Sequence, residues 1–160
     1  FKEQSNVKGA SRTSEQVNMH IIKTFDQHFS KEKFRLGNVW GKGRTIDFEV
    51  IYKGAVRLFN QKADKRVQIV LLDGKPESSS IPTYELKKQL KKVNEKIEKA
   101  GIFQFAIGIN TRTVNKFFTN SINIKNVNEL TPESLRTLEK SLKGGTLQWK
   151  FLECLNQMFQ

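Results

Sequence analysis

"TIDFEVIYKGAVRLFNQKADKRVQIVLLDG", residues 45–74, is the stretch on which the fold turns. Ile46, Phe48, Val50 and Tyr52 alternate with Asp47, Glu49 and Ile51, and a repeat of two marks a half-buried strand. Lys53-Gly54 then reads as a tight turn. "AVRLFNQK" returns antiparallel, with Val56 and Leu58 on one face and Arg57 and Phe59 on the other. "RVQIVLL", rich in β-branched residues, is a third strand, stopped by Asp73-Gly74.

Upstream, residues 1–12 read as a flexible polar segment and residues 13–160 as one domain. Val17, Ile21, Phe25 and Phe29 recur every four residues, which predicts a helix from near Glu15, capped by Thr13 or Ser14, to near Phe29. "SKEKFRLGNVWGKGR" reads as a loop or irregular strand broken by three glycines. Downstream, "TYELKKQLKKVNEKIEKAG" is the clearest helix. Leu86, Leu90, Val93 and Ile97 form a narrow apolar stripe, and Gly101 is a natural stop. "IFQFAIGIN" is a fourth strand, and "KFFTNSINI" carries a short one inside an Asn-rich stretch. Thr131-Pro132 opens a helix with Leu135, Leu138 and Leu142 on its apolar face, and a last helix runs from Thr146. The expected class is α+β. A mostly antiparallel sheet of about four strands is flanked by an N-terminal helix, a long inserted helix and a C-terminal helix pair.

The chain has 160 residues, enough for one core, and 12 Phe to fill it. Lys and Arg number 28 against 16 Asp and Glu, a net charge of +12. Such an excess favours a polyanionic partner, nucleic acid above all. Cys154 is the single cysteine, so no intrachain disulfide forms; a reducing compartment, cytoplasmic or nuclear, is expected. No apolar run reaches the roughly 18 residues of a membrane span. The start carries neither an initiator Met nor a signal-peptide core, and the chain reads as part of a longer protein.

The order of elements resembles the core of the PD-(D/E)xK nucleases, which converge two or three acids on Mg²⁺ with a lysine near the attacking water. Asp47 is a candidate first acid. The acid-x-lysine position on the next strand reads Asn60-Gln61-Lys62, where an amide replaces the carboxylate and supplies no charge to a metal. Asp73-Gly74-Lys75 has the right letters in a glycine-containing turn. His20 and His28 lie eight apart, so the zinc spacing of HExxH is absent. No catalytic residue, metal ligand or cofactor is assigned on this reading, and the nuclease stands as the alternative.

Read in order, other segments resemble the N domain of Argonaute and Piwi proteins. "NMHIIKTFDQHF" is similar to that domain's helix ending in a Gln-His-Phe-type sequence. In "VIYKGAVRLFNQK", Tyr52, Gly54, Leu58 and Phe59 match an aromatic-Asp-Gly turn and Leu-aromatic step, with Lys53 where Asp is usual. "VQIVLLDGK" and "IFQFAIGIN" resemble its next strands, and "VNELTPESLRTLEKSLKGG" with "TLQWKFLECLNQMF" its closing helices. The match spans about residues 18–159, with residues 82–100 and 111–129 as insertions. The resemblance implies a non-enzymatic basic wedge in small-RNA-guided silencing. It would contact a guide–target RNA duplex through phosphates and pack on other domains of its parent Argonaute. Lys42, Arg44, Lys53, Arg57, Lys62, Lys65 and Arg66 are the expected phosphate contacts. The stripe Leu86, Leu90, Val93 and Ile97 packs on its own sheet or docks a regulatory protein partner.

Overall fold

The computed structural model describes residues 19–38, 46–73, 76–78, 81–111, 113–131, 136 and 138. Lys42, Arg44, Lys75, Cys154 and the helix expected from Thr146 lie outside them. In residues 19–38, α1 (Phe29–Glu32) is followed by a turn of 3-10 helix, Lys33–Asn38. The long N-terminal helix is not formed over residues 19–27. Thr24 N–H donates to Gln27 Oε1 at 2.8 Å, and such local side-chain bonds compete with helix. Ile21 and Phe25, expected to be buried on a stripe, are exposed.

The remaining described residues build an α/β layer. The order is α2 (Asp47–Phe59), β1 (Arg66–Leu72), α3 (Thr83–Lys99), β2 (Ile102–Ile109) and β3 (Ser121–Ile124). The stretch 46–59, expected to be a hairpin, is one helix. Phe48, Ile51 and Ala55 recur at spacings of three and four, and all three are buried, with Leu58 packed behind them. Val50, which belongs to the alternating pattern, is exposed. Asp47 and Glu49 in the first turn complement the helix dipole, and Lys53 pairs with Glu49 at 3.0 Å one turn apart. Gly54 is not a turn residue. A Cβ there would lie 2.8 Å from Gln68 Nε2, so the glycine lets β1 approach the helix. Gln68 Nε2 then donates to the Ile51 carbonyl at 2.9 Å.

With the hairpin gone, every strand pair is joined by a crossover, and the sheet is parallel throughout. Its order is β1-β2-β3, with Val67 opposite Phe103 and Ile107 opposite Ile122. The expected antiparallel four-stranded sheet is therefore replaced by a parallel three-stranded one. The near-continuous apolar runs of β1 and β2 suit a parallel sheet covered on both faces. α2 and α3 pack side by side on one face, over β1 and β2. Ile102, Ala106, Val70 and Leu72 meet Leu86, Leu90 and Ile97 there. Phe105 and Ile107, on the opposite face of β2, are equally buried. Gly101 ends α3 with a left-handed φ of 80°, as its position predicts. Leu138 is helical and buried; of the helix expected there, Arg136 and Leu138 are the described residues.

A polar thread crosses this core. Gln104, fully buried, donates to Gln68 Oε1 at 3.1 Å, and Asn94 Nδ2 donates to the Phe117 carbonyl at 3.0 Å. The first bond ties β2 to β1, and the second ties α3 to the connection between β2 and β3. Gly108 on β2 is as tightly placed: an added Cβ would lie 2.9 Å from Asn123 Oδ1 and 3.0 Å from Val114 Cγ2. Gly108→Ala is expected to cost about 1–3 kcal/mol, the usual range for overpacking, in urea-melt midpoints at unchanged slope. A midpoint equal to wild type would show that Val114 yields freely.

Candidate functional site

The short connection between α2 and β1 reverses the chain, so the start of α2 and the end of β1 share one end of the layer. All three strands also finish at this end, since they run the same way. The carboxyl edge of a parallel sheet is where open α/β folds bind ligands. β2 ends there at Asn110, held at φ 54°, a conformation asparagine tolerates better than most residues. Pro76 is buried beyond β1, and Ser78 Oγ accepts from the Ile81 N–H at 2.9 Å, tying the approach to α3.

Asp47 opens α2 at this edge and Asp73 follows directly on β1. Asp47 is only 5 % exposed and makes no hydrogen bond among the described residues. Burial, and then the charge of Asp73, push its carboxyl up from an ordinary 3.8 to about 6. Two acids that the sequence reading kept apart are thus electrostatic neighbours. Their repulsion is relieved by a proton or by a cation. The pair is an oxygen-only donor set, and no group of three or more His, Cys, Asp or Glu gathers among the described residues. A cation that keeps most of its water on one or two carboxylates fits such a pair, and that is the habit of Mg²⁺.

The nuclease arrangement is not assembled among these residues. Asn60-Gln61-Lys62 follows the C-terminal end of α2, a helix length from Asp47. Lys62 is exposed and away from the acid pair. The hairpin expected to carry phosphate contacts does not exist either. Lys53 lies mid-helix, paired with Glu49. Arg57 sits in the last turn of α2, and Lys65 lies exposed in the α2–β1 connection. Arg66 starts β1, donates to the Gln61 carbonyl at 2.8 Å and lies 5.6 Å from the Phe59 ring centre. Leu86, Leu90 and Ile97 are 0, 1 and 4 % exposed, and Val93 packs beside them, so this stripe is core.

Comparison with known families decides the affiliation. Residues 8–144 match the model of the cobalamin biosynthesis protein CobT VWA domain. The chain belongs to the CobT VWA-domain family. No curated protein and no solved structure matches it significantly. The membership overturns the Argonaute and Piwi resemblance, and with it the role in RNA silencing, the guide–target duplex as partner and packing on other Argonaute domains. The quoted segments were short apolar strands and amphipathic helices, which recur across α/β folds. In the CobT VWA domain the same segments form a parallel sheet. Among the described residues no helix is long and apolar enough to cross a membrane.

The acid pair left a trace in the sequence. Asp73-Gly74 directly follows an apolar strand, and Asp47 directly precedes a run with an apolar repeat of three and four. Read as a strand, that run hides the fact that its first residue returns to the end of β1.

Proposed function

We propose that this CobT VWA domain serves cobalamin biosynthesis as a non-enzymatic module that holds a hard divalent cation at the carboxyl edge of its sheet. One observation carries the reading: Asp47 is a buried carboxylate without a hydrogen-bond partner among the described residues, facing the charge of Asp73. A buried, unpaired, repelled carboxylate costs stability, and a cation bridging both acids removes that cost. Asp47 is held by the first turn of α2, and Asp73 directly follows the last residue of β1. The cation would supply a positive centre for an acidic group brought to the edge, its remaining positions filled by water. Family membership supports the pathway.

Titration calorimetry and thermal melting with Mg²⁺ and Mn²⁺ test the reading. Wild type is expected to bind one ion and to melt several degrees higher at saturating metal, as preferential binding to the folded state requires. Asp47→Asn and Asp73→Asn should each remove the heat and the shift. Equal shifts in wild type and both variants would place the ion elsewhere and sink the proposal.

A further inference from the structure

At the opposite end of the layer, the C-terminal ends of α2 and α3 diverge and leave a cavity of about 330 Å³. Ala55, Val56 and Phe59 wall it from α2, Ile97 and Lys96 from α3, and Ile102 forms its floor. The walls are apolar and the volume is within the range of natural ligand sites. Phe59 is 43 % exposed at its mouth, with Arg66 stacked on the ring. Lys96 brings a cation to the lining of this mainly apolar cavity.

Positive charge continues along α3. Lys88, Lys91, Lys92 and Lys99 lie on the outward face of α3 with Glu95 among them, and Lys92 stands one turn before Lys96 of the cavity. All four are exposed, and none enters an ion pair among the described residues. Glu98, whose charge would offset them, is turned away and accepts from Thr119 Oγ1 at 3.1 Å. Glu95 offsets one of these charges, and the lysines left in excess attract an external polyanion. From Lys88 to Lys99 the helix rises about 16 Å, the length of roughly five residues of extended chain.

We propose that this groove receives an acidic peptide segment of a protein partner. One apolar side chain of the segment fills the cavity beside Lys96, and its carboxylates lie along the lysines of α3. Charge and cavity together select the occupant. The ridge alone would accept any polyanion, and the cavity alone any apolar group, whereas an acidic segment with an apolar end satisfies both. The site is at the far end of the α/β layer from Asp47 and Asp73 and does not depend on a bound cation.

Fluorescence anisotropy with this chain and a labelled peptide of about five acidic residues ending in phenylalanine tests the proposal, against the same peptide ending in glycine. Wild type is expected to bind the phenylalanine peptide at least about tenfold more tightly, a difference of about 1.4 kcal/mol. Lys92→Glu with Lys99→Glu should weaken both peptides about tenfold or more. Ala100→Leu, which lines and fills the cavity, should erase the difference between the two peptides while leaving the glycine peptide unchanged. If Ala100→Leu fails to fold, the exposed lysine pair still decides, since its melt should match wild type. Equal binding of the two peptides by wild type would overturn the proposal. So would affinity indifferent to the lysine reversals, or tighter binding of an RNA hairpin of equal charge through the same lysines.

Discussion

In chelating buffer at pH 7.5, Asp47→Asn is expected to be more stable than wild type by about 1–2 kcal/mol while losing cation binding. The sign follows from the carboxyl's rise from 3.8 to about 6 on folding. Between those values the folded chain holds more protons than the unfolded one, so wild-type stability falls as pH rises. The protonated form's contribution is complete below the unfolded pKa and gone above the folded one. About two pKa units correspond to nearly 3 kcal/mol. The expected gain is smaller because the carboxylate sits at the start of α2, where the helix dipole favours it by about 0.3–1 kcal/mol. Urea melts from pH 4 to 7.5 check it: wild type should lose stability across the interval and Asp47→Asn should be flatter. Saturating Mg²⁺ should close the gap at pH 7.5. Parallel pH profiles for the two proteins would show that Asp47 is not uncomfortable in the fold.

The largest loss of stability is expected at Phe105. Its side chain is fully buried at the centre of β2. Phe105→Ala removes the ring and leaves a cavity that the flanking strands cannot close, at a cost of about 3–5 kcal/mol. That is a large share of the roughly 5–15 kcal/mol available to a domain. Phe34→Ala, at a ring 69 % exposed, should stay within about 0.5 kcal/mol. Urea midpoints compared across both variants distinguish burial from mere loss of an aromatic. A Phe105→Ala midpoint close to wild type would mean that the far face of the sheet repacks readily.

Much of the layer was legible from residues alone. "RVQIVLL", "IFQFAIGIN" and the lysine-rich helix were readable because each carries one periodicity and a clear stop, Asp73 or Gly101. Residues 46–59 carry two. Ile46, Phe48, Val50 and Tyr52 alternate, while Phe48, Ile51, Ala55 and Leu58 follow the helical repeat. Gly54 then looked like punctuation, and its reason, the approach of Gln68, is tertiary. That one misreading turned a helix into a hairpin and a parallel sheet into an antiparallel one. It also separated Asp47 from Asp73, since their meeting depends on a helix returning the chain to the end of β1. The cavity between α2 and α3 was invisible for the same reason: half its wall was assigned to strands.

The parallel pairing also shapes how the chain comes off the ribosome. Gln68 and its partner Gln104 are 36 positions apart, and no tight turn brings their strands together. At common translation speeds the apolar segment 66–72 emerges on the order of seconds before residues 102–109 exist to receive it. During that interval it is a sticky, β-prone stretch with nothing to pair with. A nascent chain stalled before residue 102 should therefore be a client for chaperones, and one stalled well beyond residue 124 should not.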